Sequence, residues 1–337
     1  MTDPYSLALT LLFARNKNTS AIARELDKTQ SSISRFLKKV EIGISGFKAA
    51  IKVLFGDKPL TIVIDDTVLS KRYSQAIEGT SSMVDQSTKT FTKGVKIVAA
   101  GLTDGKFFLP IDLEQWVAQF ISQDAYLTKV ELAKKLILRI LELDISVKDV
   151  VLDGLYFSQD FIEFLDAKKL KFVIKAKTTT SVVYKGQKMQ LRECKDLRLN
   201  SNQNQKIIKA LWKGQIWYFV AMRRTGKHGD KISYLIANFL AKKSKVYSRI
   251  YASRWTVEKF IRTAKQSLGL NDSCSQIATV YLNHIRCVFM AYGHLQLIMK
   301  KKRLKSAEDA LRMTHALKLK LPFCKILDQI SSLYAYA

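Results

Sequence analysis

A mixed sheet with helices on its faces and an inserted β subdomain, an α/β fold flanked by helical regions at both ends, is what the sequence predicts. Three observations predict it. The continuous β-branched run LTIVID at residues 60–65 has the character of a strand covered on both faces. Beyond it, the pattern alternates as strand, hairpin, helix, strand, helix, strand, the order that builds a mixed sheet between helices. Finally, 47% of the 337 residues are hydrophobic, enough for a substantial core spread over two or three domains.

Residues 1–57 read as helical. Within NTSAIARELDKTQSSISRFLKKV, the apolar Ile22, Leu26, Ile33 and Leu37 straddle the polar turn DKTQ, the pattern of two short helices packed at an angle. The phrase resembles a helix-turn-helix whose second helix, with Ser31, Ser32, Ser34 and Arg35 facing out, would lie in a major groove. An ordinary helical hairpin is the plainer alternative. Residues 58–176 and 236–272 make up the α/β domain. After LTIVID, the stretch TKGVKIVAAGLTDGKFFLPIDLEQW reads as two strands joined by a tight turn at Thr103, Asp104 and Gly105. A helix from about 123 to 144 follows, apolar at Leu127, Val130, Leu132, Leu136 and Ile140, then the strand VKDVVLD, the helix SQDFIEFLDAKK and the strand KFVIKAK. Residues 177–235 turn polar, with short strands and a loop rich in Asn, Gln and Ser, and read as the inserted β subdomain. KISYLIANF closes the sheet, a helix from about 244 carries YASRWTVEKFIRTAK, and residues 273–337 are helical.

The charge balance narrows the partners. Lys and Arg number 56 against 29 Asp and Glu, a formal charge of +27, which calls for a polyanion: nucleic acid first, an anionic membrane surface second. VYLNHIRCVFMAYGHLQLIM, ending at Met299, carries Asn283, His284, Arg286, His294 and Gln296 and reads as a largely buried helix, not a membrane span. The first residues, MTDPYSLALTLLFARN, place Asp3 ahead of a short apolar run with no basic segment, unlike a secretory signal, so a cytoplasmic location is expected. Cys194, Cys274, Cys287 and Cys324 form no CxxC pair and suit buried free thiols.

Acidic residues stand where chemistry is to be sought. TIVIDDTVLSK puts Asp65 and Asp66 at the end of the first buried strand, and DVVLDGLYFS puts Asp153 at the end of another, the carboxyl edge where open α/β sheets hold their sites. Tyr251, Arg254, Glu258 and Lys265 follow the spacing Y-x2-R-x3-E-x6-K. At about 100° per residue they fall in a stripe of roughly 60° on one helix face, spread along roughly 20 Å. Carboxylates with no histidine or cysteine nearby in sequence make a hard-oxygen set that suits Mg²⁺ or Mn²⁺ better than zinc. Two such ions about 4 Å apart serve in-line displacement at phosphorus. With Glu258 at a metal, Arg254 would grip a neighbouring phosphate bidentately, Lys265 would add a point charge and Tyr251 a hydrogen bond. Taken singly, each acid has a plainer reading: a turn cap for Asp65 or Asp66, a turn pair for Asp153 and Gly154, an exposed helix residue for Glu258.

That spacing, with DDT after one strand and DGLYF after another, resembles the DDE transposases of bacterial insertion sequences that carry the YREK signature, the insertion sequence four family and its relatives, over residues 58–272. The resemblance implies a ribonuclease H-like fold with a β-rich insertion between the second Asp and the Glu. It also implies a triad of Asp66, Asp153 and Glu258 that binds two Mg²⁺, with Mn²⁺ able to substitute. Asp66 is preferred to Asp65 because the family's first acid directly precedes a threonine, here Thr67. Neighbours on a strand point to opposite faces, so only one of the two enters the site. Tyr251, Arg254 and Lys265 would hold the transposon end through a hairpin intermediate. A tryptophan of the insertion, Trp212 or Trp217, would stack on a base turned out of the duplex, with core packing as the alternative. Arg223, Arg224, Lys227 and His228 form a basic turn placed to touch DNA, with a solvated loop as the safer reading of His228. The activity so implied is cut-and-paste transposition: double-stranded DNA is bound at terminal inverted repeats, cleaved and joined by its 3′ ends to a target. A homodimer is expected because two ends must be held together. A nuclease of the same fold without strand transfer, and a non-catalytic DNA-binding regulator, are the alternatives.

Overall fold

The computed structural model describes residues 3–318 except 73, 75, 86–89, 125, 227, 228 and 244. Along the chain run α1 (Pro4–Phe13), α2 (Thr19–Glu25), α3 (Gln30–Lys39), α4 (Lys48–Phe55), β1 (Leu60–Ser70), β2 (Ser81–Asp85), β3 (Thr90–Thr103), β4 (Phe108–Trp116), α5 (Lys129–Leu141), β5 (Val147–Leu152), α6 (Gln159–Ala167), β6 (Phe172–Ala176), β7 (Ser181–Tyr184), β8 (Gln187–Gln190), β9 (Gln205–Trp212), β10 (Gln215–Gly226), β11 (Gly229–Ala237), α7 (Lys245–Ala252), α8 (Trp255–Ser267), α9 (Ala278–Lys302) and α10 (Ala307–Lys318). This is the mixed α/β architecture that the alternation of patterns predicts. The chain forms two compact units, one from Met1–Lys58, Asp65–Ile145 and Thr256–Ala337, the other from Pro59–Ile64 and Ser146–Trp255.

In the first unit, side-chain caps set where helices begin. Asp3 accepts from the amides of Tyr5 and Ser6 with Pro4 at the first helical position, Asn18 accepts from Ala21, and Thr29 from Ser32. Asp27 closes α2 at φ +51°, with the Lys28 amide reaching back to the Ala23 carbonyl at 2.8 Å. The two short helices thus meet as the apolar pattern requires, burying Ile22, Ile33 and Leu37 and leaving Arg35 exposed. The predicted hairpin is present too. Thr103 donates to the Phe107 carbonyl at 2.6 Å, Asp104 accepts from the amides of Lys106 and Phe107, and Gly105 takes the φ of +93° that the tight turn demands. The strands of this unit run in the order β2-β3-β1, with β4 on β3, and α5 packs against β3 and β4. The helix expected from about 123 starts instead at Lys129, because Thr128 and Glu131 form a reciprocal capping box that fixes the first turn there.

The long helix α9 is buried almost throughout, and three of its polar residues meet neighbouring backbone groups. Asn283 donates to the carbonyls of Leu37 and Val40, both at 2.8 Å, closing the end of α3; His284 meets the Gly269 carbonyl at 3.0 Å; Gln296 accepts from the Phe108 amide at 3.1 Å. No helix among the described residues is long and apolar enough to cross a membrane. Phe260 of α8 is held edge-on between Phe289 and Tyr292 of α9, with centroids 5.2 and 4.9 Å away. That contact fixes α8 against α9. Cys194 and Cys287 are buried free thiols as expected, burial pushing the Cys287 thiol up to about 12. Cys274 departs from the expectation: it lies exposed in the turn between α8 and α9, and Cys324 lies outside the described residues.

In the second unit the first half of β1 pairs in parallel with β5, through Ile62 opposite Val150 and Val63 opposite Val151. The order continues β1-β5-β6-β11-β10-β9-β7-β8, parallel as far as β6 and antiparallel after it. Tyr247, Ile250 and Tyr251 of α7 cover Val151, Val173 and Val220. One carboxylate is buried within this sheet: Asp149 accepts from Thr61 at 2.6 Å, and burial raises its pKa despite that bond.

A pH response follows for the first unit. His294 packs edge-on against Tyr5 at 4.8 Å, and burial pushes its pKa down to about 3. A histidine in the unfolded chain titrates near about 6.5, so the neutral ring's contribution is fully present above about pH 6.5 and is lost as pH falls toward 3. Urea melts of His294→Gln across that window should show an acid limb shallower by up to one proton's worth of slope. An unchanged limb would rule the residue out.

Candidate active site

The acids of the first unit are placed by β1 and α8. β1 does not end at Asp65 as the sequence suggests; it runs on to Ser70, so both aspartates lie mid-strand. The reason is that pairing in the first unit takes over, with the Lys71 amide still bonded to the Lys93 carbonyl at 2.8 Å. The two neighbours are used differently, as strand alternation requires. Asp65 turns onto its own backbone and accepts from the Asp66 amide at 2.9 Å, whereas Asp66 receives the ammonium of Lys129 at 2.8 Å. Both members of that ion pair are about one-fifth exposed. Lys129 is the first residue of α5, so the Thr128 capping box positions it. Lys96 on β3 is close to the same pair: burial lowers its pKa first, Lys129 lowers it further, and Asp66 opposes them.

Glu258 stands half-buried in the first turn of α8, where the helix dipole favours a carboxylate. Lys265 follows seven residues later on the same face, roughly 10 Å along the axis. Burial lowers the Lys265 pKa, with Asp85 opposing.

In the second unit Asp153 follows β5 directly and opens a short 3₁₀ turn. The Tyr251 hydroxyl points to its Oδ1 at 3.4 Å, a long contact. Tyr251 is only 2% exposed, and burial pushes its phenol up to about 12, so it stays a donor at neutral pH. The Arg254 guanidinium lies 5.6 Å from the centroids of both Tyr251 and Trp255, and that of Arg224 lies 5.9 and 6.0 Å from the same rings. Contacts of this kind contribute about 0.5–2 kcal/mol each. Two guanidiniums held together on two aromatic faces repel one another and favour an anion between or above them. Arg224 and Trp255 join this group through tertiary packing, so only the basic composition of residues 223–228 hinted at Arg224, and nothing in the sequence singled out Trp255.

The single stripe is corrected by the structure. α7 ends at Ala252 and α8 begins at Trp255. Between them the Ser253 and Arg254 amides bond three residues back, to Ile250 and Tyr251, and the Ser253 hydroxyl donates to the Ile250 carbonyl at 2.6 Å. A serine that competes for the helix carbonyl tightens the chain into a turn, so the helical angle does not carry across it. Tyr251 and Arg254 therefore share no helix with Glu258 and Lys265.

Other predicted residues are mainly occupied. Both tryptophans are buried: Trp212 stacks on Phe157 at 5.0 Å and Trp217 tilts against Phe172 at 5.8 Å. Trp212 also lines an open cleft of about 450 Å³ with Lys177 and Lys188. Arg223 binds Asp230 at 2.7 Å and the Asn200 carbonyl at 2.8 Å. Lys227 and His228 lie outside the described residues. Among the described residues, no three carboxylate, imidazole or thiol side chains gather into a metal-holding group. In kind, the oxygen-only acids fit a hard divalent cation, and at Asp66 the Lys129 ammonium supplies the positive charge such an ion would bring.

A family model described as "Transposase DDE domain" matches residues 56–292 of the chain. Among curated proteins, none matches.

The Asp66–Lys129 pair is measurable by itself. A double-mutant cycle with Asp66→Asn and Lys129→Met should give a coupling of about 1–2 kcal/mol in denaturant melts, above the usual value for fully exposed pairs. A coupling near zero would mean that the lysine does not hold the acid in solution.

Proposed function

The chain belongs to the DDE transposase family, and from that premise we propose that it moves an insertion sequence by cut-and-paste transposition. It binds the terminal inverted repeats of its element, cleaves them by two-metal phosphoryl transfer through a hairpin, and joins the 3′ ends to target DNA. The observation that carries the reading is the Arg224, Tyr251, Arg254 and Trp255 cluster beside Asp153, inside the matched region. A pair of guanidiniums next to an acid of the motif is what gripping a phosphate at a reacting site requires.

Asp66, Asp153 and Glu258 are the proposed ligands of two Mg²⁺, with Mn²⁺ able to replace them. Those ions would supply positive charge at the attacking and leaving oxygens. The residues do the rest. Arg254 and Arg224 grip phosphates that flank the scissile one, Lys265 adds a charge along α8, and Tyr251 donates a hydrogen bond. Lys129, which now holds Asp66, would have to release it for that acid to hold a divalent ion. Of the two tryptophans we favour Trp212 for base stacking, because it lines an open basic cleft while Trp217 does not. Arg35 on α3 is the proposed contact of the N-terminal helices with a major groove. The domains we assign are residues 1–57 for DNA binding, 58–176 with 236–272 for a ribonuclease H-like catalytic domain, 177–235 for its β insertion and 273–337 for a C-terminal helical region. Two ends held at once call for a homodimer on DNA.

The test is a cleavage assay on a duplex that carries the element's own end, with Mg²⁺ or EDTA. Metal-dependent nicks and a hairpin product should disappear in Asp66→Ala, Asp153→Ala and Glu258→Ala while end binding stays within about threefold of the unaltered protein. Tight binding with no cleavage under any metal would instead indicate a regulator, and cleavage kept in Asp66→Ala but lost in Asp65→Ala would reassign the first acid. Arg254→Ala should cut the rate by about 10- to 100-fold, a loss of about 1.4–2.7 kcal/mol; an unchanged rate would remove it from the site.

A further inference from the structure

α7 has two distinct faces. Tyr247, Ile250 and Tyr251 point into the core of the second unit. Lys245, Ser248, Arg249 and Ala252, at the helical spacing i, i+3, i+4, i+7, line an open cleft of about 970 Å³ on the other side. Arg223 and Lys243 add two more cations to its walls, and Asn204 and Gln205 supply amides. Among the described residues no carboxylate lines it. Lys243, Lys245 and Arg249 are exposed, whereas both polar atoms of the Gln205 side chain are buried without a hydrogen-bond partner among the described residues. A buried amide left unsatisfied is costly, and a ligand presenting acceptors and donors would relieve that cost.

We propose that this cleft is a second DNA-binding site, which holds a stretch of phosphodiester backbone apart from the one at Arg224 and Arg254. Three features point to that ligand. The cations form a row, Lys245 and Arg249 being roughly 6 Å apart along the axis, so the partner is an extended polyanion and not a single small anion. The site is concave and lined by amides and a serine instead of exposed aromatic or aliphatic anchors, which suits a strand lying in it and not a flat lipid surface. Arg223 keeps its bond to Asp230 and still lines the wall, a preset donor in place of a flexible one. The inference rests on the reading that the chain binds DNA, and it adds where a further segment of the same duplex, or the target, is held.

The experiment is fluorescence anisotropy with a labelled duplex of roughly 30 base pairs and arbitrary sequence, over a salt series. Three proteins are compared: the full chain, the cleft variant Lys243→Gln/Lys245→Gln/Arg249→Gln, and a control, Lys148→Gln/Lys168→Gln/Lys169→Gln. The control removes the same charge from exposed lysines of the same unit that do not line the cleft. The cleft variant should bind at least about tenfold more weakly, with a log–log salt slope shallower by about 2–3 units, close to 0.9 for each lost phosphate contact. The control should change affinity by less than about threefold. Equal effects of the two variants would reduce the cleft to bulk charge and overturn it. An unchanged cleft variant beside a full chain that binds steeply would overturn the cleft alone. No binding by the full chain would overturn cleft and proposed function together. All six positions are exposed, so circular dichroism and thermal melts of both variants should match the full chain.

Discussion

The parallel pairing of β1 with β5 is the constraint on which the rest depends. Ile62, Val63 and Ile64 on one strand and Val150, Val151 and Leu152 on the other are fully buried, and a ladder covered on both faces tolerates no unpaired charge. Each strand leaves that ladder at its carboxyl end, and in each the next residue of the chain is an aspartate, Asp65 after Ile64 and Asp153 after Leu152. Acids appear where burial stops because that is the first place they can be hydrated or paired. The exception within the ladder, Asp149, keeps its place only with the Thr61 hydroxyl against it, and its raised pKa records the cost of burial.

Around the acids the protein places cations in two distinct ways. At Asp66 the charge is a lysine, a compact ammonium on a flexible stem that a stronger cation can displace. Near Asp153 the charges are guanidiniums laid on the rings of Tyr251 and Trp255, which hold them in position. The formal charge of +27 attracts any polyanion at long range, an attraction that salt screens beyond about 8–10 Å.

The helices of the first unit are held to one another and to the loops by buried polar bonds. α9 buries Asn283, His284 and Gln296, and each makes a bond to a neighbouring backbone, at the end of α3, at Gly269 and at Phe108. Directional bonds of this kind set the angle and register that apolar contacts alone leave loose. α8 is then fixed by Phe260 between Phe289 and Tyr292, so the position of Glu258 follows from aromatic packing on the opposite side of its helix.

By itself the sequence determined the local features. The buried run at 60–64, the turn at Thr103 to Gly105, the two short N-terminal helices, the buried helix around His284 and His294, and the acid that follows Leu152 were all legible, because each follows from the periodicity or conformational preference of adjacent residues. Only the tertiary structure decided the rest. It carried β1 on to Ser70, since strand pairing with distant residues outweighs a local end signal. It broke the Y-x2-R-x3-E-x6-K stretch at Ser253, where a hydroxyl bond no periodicity reveals competes with the helix. It brought Lys129 to Asp66 across 63 residues and set Arg224 over Trp255. A pattern of 3.6 or 2 reports which side of an element is apolar; which charged residue faces which depends on packing between elements, and the chain does not write that down locally.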